Sequence, residues 1–99
     1  MYKVVSTPKA DISFLKVIDF ILFIWNAKIV VDFITLTENL ESILSNNPYL
    51  GKPLENNIRE TIIHKNTSVF YEVDEKNKII KILLFKENRQ NPESYLKLL

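Results

Sequence analysis

The sequence predicts an α+β domain with the element order β-α-α-β-β-β, in which a helical hairpin packs on one face of an antiparallel sheet. Two patterns lead to this prediction. Apolar residues recur every three or four positions in the first half of the chain, whereas β-branched and aromatic residues alternate in the second half. A length of 99 residues with 46% hydrophobic content allows one domain, spanning residues 1–99, with a core of its own.

A short first strand is expected at residues 2–5, and Pro8 lies beyond its end because proline has no amide hydrogen for a strand ladder. Asp11 is the expected N-cap of the helix that follows, over residues 12–25.

The polar positions of this first helix recur with a spacing of three, at Ser13, Lys16 and Asp19. This spacing predicts one narrow solvated stripe on an otherwise apolar helix. The apolar stretch over residues 12–25 is also shorter than the ~20 residues that a membrane-spanning helix needs. We therefore expect a buried helix of a cytoplasmic protein, without a signal peptide.

The second helix is predicted over residues 27–45, because apolar residues line one face there and charged residues the other. A short link makes the two helices an antiparallel hairpin. Residues 46–57 contain two prolines and the only glycine, and they are expected to form a loop.

Three strands are predicted in the second half, over residues 58–63, 68–74 and 78–86, with a turn at residues 74–77. They form an antiparallel meander, and the last strand is apolar on nearly both sides and therefore central. In that strand Ile80, Ile82 and Leu84 are expected to share a face. Helices cover one face of the sheet, so the other face is expected to be open, apolar and suited to a partner.

Composition excludes several classes of chemistry. The absence of cysteine excludes a disulfide framework and a zinc–cysteine site. With His64 as the only histidine, a Ser-His-Asp or Cys-His nucleophile system is not expected. A net charge of +1 argues against bulk electrostatic binding of nucleic acid. Any catalysis would be metal-free and would depend on arginine, lysine, tyrosine and carboxylate groups.

Arg59 and Arg89 are the only arginines among 13 basic residues. Arginine can be retained where a planar, bidentate donor is needed, which makes both residues candidates for phosphate contacts. The meander places them at opposite ends of the sheet. The alternative for each is a surface ion pair, with Glu72 for Arg59 and with Glu93 for Arg89.

Five further residues are weaker candidates. Tyr95 could donate a proton or fix the tail of the chain, and His64 is expected to be a polar residue at a strand end. Lys52, Lys65 and Lys86 could contact phosphates as point charges, or could serve only as solubilising residues.

The order of several short motifs resembles the RelE/ParE superfamily of bacterial type II toxin–antitoxin toxins, also known as plasmid stabilisation proteins. The similarity extends over essentially the whole chain. Its pieces are Tyr2-Lys3-Val4-Val5, Asn47-Pro48-Tyr49-Leu50-Gly51, Ile58-Arg59, Phe70-Tyr71-Glu72-Val73, Ile80-Lys81-Ile82-Leu83 and Asn88-Arg89-Gln90-Asn91-Pro92.

The resemblance implies a growth-inhibiting toxin that a cognate antitoxin holds inactive, with no cofactor and no metal. RelE-like members cleave mRNA in the ribosomal A site, whereas ParE-like members poison DNA gyrase. Arg59 matches the arginine that contacts the scissile phosphate in the nucleases, and Arg89 falls near a second basic position. Tyr95 is a loose match to a C-terminal aromatic acid.

The low charge favours the ParE-like activity, because the related nucleases are strongly basic. The general base is also not evident, with Glu55 and Glu87 as candidates. Ribosome-dependent mRNA cleavage is the alternative, and an inactive binding domain that shares the fold is a third. We expect the antitoxin to bind the open sheet face and the exposed edge of the helical hairpin.

Overall fold

The computed structural model describes residues 1–64 and 67–88, which form two helices and five strands. The elements are β1 (Lys3–Ser6), α1 (Pro8–Ile24), α2 (Ala27–Asn46), β2 (Lys52–Pro53), β3 (Ile58–His64), β4 (Thr67–Asp74) and β5 (Ile79–Glu87). The predicted helices, the predicted strands and the turn at residues 74–77 are all present, with ends that differ by at most four residues. No helix within the described ranges is long and apolar enough to cross a membrane.

The five strands form one sheet in the order β1-β5-β4-β3-β2. β3, β4 and β5 are the predicted antiparallel meander, and β5 is an interior strand as expected. The sheet is mixed rather than wholly antiparallel, because β1 lies parallel to β5, with Lys3 opposite Ile79. A parallel pair needs a long crossover connection, and the chain from α1 to β4 provides it.

β2 was not predicted, since residues 46–57 were expected to be a loop throughout. Asn56 and Asn57 have φ angles of 56° and 64°, and the Ile58 amide donates to the Glu55 carbonyl at 3.0 Å. Positive φ at both central positions is what a tight type I′ hairpin turn requires, and asparagine tolerates it. The turn folds β2 back onto β3.

Thr7, and not Asp11, caps α1. The Thr7 hydroxyl accepts a hydrogen bond from the Ala10 amide at 3.2 Å, and Pro8 occupies the first helical turn. Proline is favoured there because its missing amide hydrogen is not needed. Asp11 lies one turn further on, where its carboxylate accepts a hydrogen bond from the Ser6 hydroxyl at 2.7 Å.

The predicted solvated stripe of α1 is correct for Lys16 and Asp19 but wrong for Ser13, which is only 8% exposed. The Ser13 hydroxyl donates to the Ala10 carbonyl and accepts from the Phe85 amide, both at 2.9 Å. β1 pairs only with the first residues of β5, so the Phe85 amide lies beyond the end of that ladder. The Ser13 hydroxyl thus serves as the hydrogen-bond acceptor that the Phe85 amide does not find in a neighbouring strand.

β5 contains a bulge, and the predicted alternation of its side chains is therefore wrong beyond Ile82. Ile80 and Ile82 are buried beneath the helices, as expected, but the ladder with β4 then skips Leu83. An extra residue moves the following side chains to the opposite face. Leu84 therefore leaves the face that it was expected to share, and Phe85 takes the buried position.

The core lies between the helices and one face of the sheet. It contains alternating residues of β4 and β5 and the inner stripes of both helices, and the rings of Phe14, Phe33 and Phe85 contact one another within it. Its buried members are Ala10, Val17, Ile21, Val30, Phe33, Leu40, Leu44, Val69, Tyr71, Val73, Ile80, Ile82 and Phe85.

Replacing Ser13 by alanine tests the attachment of α1 to β5. We expect Ser13→Ala to lower the free energy of unfolding by about 1–3 kcal/mol, because the buried Phe85 amide loses its acceptor. Urea denaturation measures this change. Ser42→Ala, at an exposed position of α2, is the matched control and should stay within about 0.5 kcal/mol of wild type. Equal stability of the two variants would contradict this role of Ser13.

Candidate functional site

Arg59 fastens the chain before β2 to the sheet. It is the second residue of β3, and its Nη1 donates to the carbonyl oxygens of Gly51 at 2.7 Å and Tyr49 at 3.2 Å. Its Cζ lies 4.9 Å from the centre of the Tyr49 ring, within the range of a cation–π contact. The alternative partner, Glu72, is 3.9 Å from Lys81 instead. These contacts hold the loop before β2 against the sheet, and we call them the Arg59 clamp.

Tyr71 lies beneath this clamp and is fully buried. Its hydroxyl accepts from the Gly51 amide at 2.8 Å and donates to the Pro48 carbonyl at 2.9 Å. Burial raises the pKa of Tyr71, while the Gly51 amide and the charge of Arg59 oppose that rise. A neutral phenol is the form that can donate to Pro48, so burial stabilises the form that the loop needs.

Gly51 is required here by space and not by backbone conformation. A Cβ at this position would lie 2.8 Å from the Tyr71 hydroxyl oxygen and 2.9 Å from the Glu60 carbonyl oxygen. Both distances are shorter than Cβ contacts in proteins allow. Among the described residues, Gly51, Tyr71 and Arg59 thus form one hydrogen-bonded unit around the loop.

The recess beside Arg59 is small, and an acidic side chain, Glu75, is among its lining residues. It has a volume of about 200 Å³ and includes Tyr49, Asn57 and Glu75 among its lining residues. The Tyr49 hydroxyl donates to the Glu75 carboxylate, and this hydrogen bond raises the pKa of Tyr49. Ligand pockets commonly exceed about 300 Å³. The recess is therefore small for a nucleotide, and Glu75 would repel a phosphate.

The candidate lysines do not join Arg59 in one basic site. Lys52 is exposed on the edge strand β2, close to Arg59. Lys86 is exposed on β5 opposite Ser68, which in turn lies opposite Ile62 of β3. The register thus separates Lys86 from Arg59 by two strands and three residue positions, about 10 Å in each direction.

Three predicted site residues, Lys65, Arg89 and Tyr95, lie outside the described residues. The register nevertheless agrees with the expectation that Arg59 and the end of β5 are at opposite ends of the sheet. Glu87, the last residue of β5, lies opposite Thr67, at the end of β4 far from Arg59.

The two candidate general bases differ in access to solvent. Glu55 is exposed in the β2–β3 turn. Glu87 is only 1% exposed, and its carboxylate accepts a hydrogen bond from the Thr67 hydroxyl at 3.0 Å. A general base must reach the proton that it removes, so its burial disfavours Glu87 for that role.

His64 was expected to be a polar residue at a strand end, and the structure places it at that end but half-buried. Its ring lies 6.5 Å from that of Phe33, and its Nδ1 is buried with no hydrogen-bond partner in the described part of the chain. The one sequence signal for this placement is the apolar run that precedes His64 in β3. The bulge between Ile62 and His64 then decides which face the imidazole takes.

The open sheet face carries an apolar groove of about 870 Å³, which we call the open-face groove. The bulge in β5 contributes two consecutive leucines to it, and Lys9 and Glu55 are its charged residues. The apolar lining consists of Leu54, Ile58, Phe70, Leu83 and Leu84. An open apolar face was predicted from the sequence, but the contribution of the bulge was not.

Within residues 1–64 and 67–88, no cluster of three or more His, Cys, Asp or Glu residues is arranged to hold a metal ion. The described residues therefore offer two candidate sites: the loop that Arg59 and Tyr71 hold in place, and the open-face groove.

Removing the Tyr71 hydroxyl tests whether the loop before β2 depends on the hydrogen-bonded unit of Gly51, Tyr71 and Arg59. Tyr71→Phe should lower the free energy of unfolding by about 2–4 kcal/mol, because the Gly51 amide and Pro48 carbonyl lose a buried partner. Tyr49→Phe removes an exposed hydroxyl and is the matched control, with an expected loss below about 1 kcal/mol. Urea denaturation measures both, and a Tyr71→Phe loss as small as the control's would refute the assignment.

Comparison with known proteins finds similarity at the level of structure. No protein-family model matches the sequence, and no curated protein matches it significantly. The fold is similar to a chain of the RelBE2 toxin–antitoxin complex of Mycobacterium tuberculosis, with a TM-score of 0.63, 20% identity and coverage of 87% of this chain and 96% of that one. It is also similar to a chain of the chromosomal ParDE toxin–antitoxin system of P. aeruginosa, with a TM-score of 0.71, 19% identity and coverage of 88% and 96%. The predicted resemblance is confirmed for the fold: the chain has a RelE/ParE-like fold, with two helices against a five-stranded mixed sheet.

Proposed function

We propose that this chain is the toxin of a type II toxin–antitoxin module and inhibits growth when it is free of its antitoxin. The observation that carries the proposal is the similarity of its fold, over almost the whole chain, to chains of two toxin–antitoxin systems. A fold can host several activities, so the target is argued from the chain's own residues.

Inhibition of DNA gyrase in the bacterial cytoplasm, the ParE-like activity, is the activity that we propose. Three features support it over ribosome-dependent cleavage of mRNA. Arg59 already donates to two backbone carbonyls, and Glu75 borders the recess beside it. The net charge of +1 provides little attraction for ribosomal RNA.

The mRNA endonuclease remains the alternative because of one feature of Arg59. Its Nε and Nη2 donate to none of the described residues, so the guanidinium retains donors for a phosphate. In that case Arg59 would be the phosphate contact, with Arg89 and Tyr95 as the untested partners.

The open-face groove is the surface that we propose for the antitoxin. Its lining is mostly apolar, which suits the apolar face of an amphipathic segment. Lys9 and Glu55 at its borders would fix the direction of that segment through opposite charges.

Induction of the chain in bacteria without an antitoxin distinguishes the two activities. We expect growth arrest with gyrase-dependent DNA breaks, and no new mRNA ends at ribosomal A sites. Purified protein should also inhibit supercoiling by gyrase in vitro. New mRNA ends without DNA breaks would favour the nuclease, and normal growth with neither effect would refute a toxin function.

Arg59 provides a second test, because a clamp and a catalytic group respond differently to substitution. We expect Arg59→Ala to lower the free energy of unfolding by about 1–2 kcal/mol, since two hydrogen bonds to the loop are lost. Toxicity should then fall only as far as the amount of folded protein falls. Lys52→Ala, at an exposed neighbouring position, is the control and should change neither quantity.

Toxicity is therefore compared at equal folded protein, quantified by circular dichroism and immunoblotting. If folded Arg59→Ala protein loses all effect on growth while its stability is unchanged, Arg59 belongs to the functional surface and the clamp is not its main role.

A further inference from the structure

The outer face of α1 is apolar and is not covered by any described part of the chain. The inner face packs on β5 through Ala10, Ser13, Val17 and Ile21. On the opposite side, large apolar side chains are 47–85% exposed, and they are Ile12, Leu15, Leu22 and Phe23. We call these four residues, together with Lys16 and Asp19, the α1 stripe.

The α1 stripe has the spacing of a helix–helix seam. Ile12, Leu15, Asp19 and Leu22 follow one another at intervals of three, four and three residues, which keeps them on one side of the helix. A stripe of this kind fits the corresponding face of another helix.

Lys16 and Asp19 lie at the centre of the α1 stripe, with apolar residues at both ends. Both are exposed, and neither takes part in an ion pair among the described residues, although they are three positions apart on one helix. The two charges are therefore available to a partner, and they sum to zero.

We propose that the α1 stripe pairs with the α1 stripe of a second copy of this chain, antiparallel and about a two-fold axis that passes between Lys16 and Asp19. This arrangement brings Lys16 of each copy beside Asp19 of the other. It also brings Ile12 of each copy against Phe23 of the other.

The charge pattern of the α1 stripe favours a second copy of the chain as its partner. A parallel pairing would place like charges together at both positions, which is unfavourable. A strongly charged partner finds no net charge to complement on the α1 stripe. Two-fold antiparallel pairing satisfies both charges twice, using only residues that the chain already has.

The size of the α1 stripe sets the expected affinity. From Ile12 to Phe23 the helix rises about 17 Å, and one helix pair of that length falls short of the ~800 Å² per partner of a standard stable interface. The dimer should therefore be weak and reversible, with a dissociation constant in the micromolar range. No residue of the α1 stripe lines the open-face groove, so the groove stays accessible in this dimer.

Sedimentation velocity of the purified full chain, from about 1 to 200 µM, tests the pairing. Wild type should shift from monomer to dimer across this range. K16E and D19K should each weaken dimerisation about tenfold, because each creates like-charge contacts at two symmetric positions. The double variant K16E/D19K exchanges the two charges and should restore the wild-type dissociation constant.

K28E and D32K are the matched controls, since they make the same changes in net charge at exposed positions of α2. They should leave the dissociation constant unchanged. Thermal unfolding of every variant is measured alongside, and we expect no loss of structure because the substituted side chains are exposed and form no ion pair with any described residue.

Three results would overturn the proposal: wild type that remains monomeric at 200 µM, a dimer that the single charge reversals do not weaken, or a double variant that is not restored. Each result leaves the toxin proposal intact, because growth inhibition is measured separately. Conversely, a dimer of the expected behaviour would stand even if the chain had no effect on growth.

Discussion

The backbone of β5 must find hydrogen-bond partners on both of its edges, and the placement of the other elements follows from that requirement. β4 pairs along one edge for almost the whole strand, but β1 is only four residues long and pairs with the first part of the other edge. Buried amides beyond it cannot be left without acceptors. The start of α1 supplies partners along this edge: the Thr7 hydroxyl donates to the Ile82 carbonyl, and the Ser13 hydroxyl accepts from the Phe85 amide.

This attachment fixes the orientation of α1, and the orientation decides which side chains face outward. Because Ser13 is held against β5, the residues one turn apart from it, Val17 and Ala10, are also buried. Residues on the far side of the helix are then exposed whatever their chemistry, and Leu15 and Phe23 are among them. The apolar outer face of α1 is thus a consequence of how β5 is completed.

The bulge at Leu83 has the corresponding effect on the other side of the sheet. A strictly alternating β5 would have placed Leu84 in the core and Phe85 outside. Skipping one residue puts Phe85 beneath the helices and Leu84 in the open-face groove. One irregularity in one strand therefore completes the core and supplies the apolar surface that we assign to the antitoxin.

Sequence patterns predicted every element except β2, and the order of those elements, because periodicity depends on neighbours along the chain. They did not predict the features that depend on contacts between distant segments. The role of Ser13 depends on Phe85, 72 residues later in the sequence. The role of Arg59 depends on how closely Gly51 approaches it, and a guanidinium that matches a phosphate contact by sequence position donates to carbonyl oxygens instead. The Asn56-Asn57 turn is an exception, because its residues are local and the pattern could have indicated the hairpin.

The chain's neutrality connects these surfaces to the proposed function. At a net charge of +1, long-range electrostatic attraction contributes little to association with any partner. Recognition must then depend on short-range apolar contact, with isolated charges setting register and direction. The open-face groove and the outer face of α1 both have that composition, each apolar with one basic and one acidic residue. A protein with this surface discriminates partners by shape, which is more consistent with binding folded proteins than with binding ribosomal RNA.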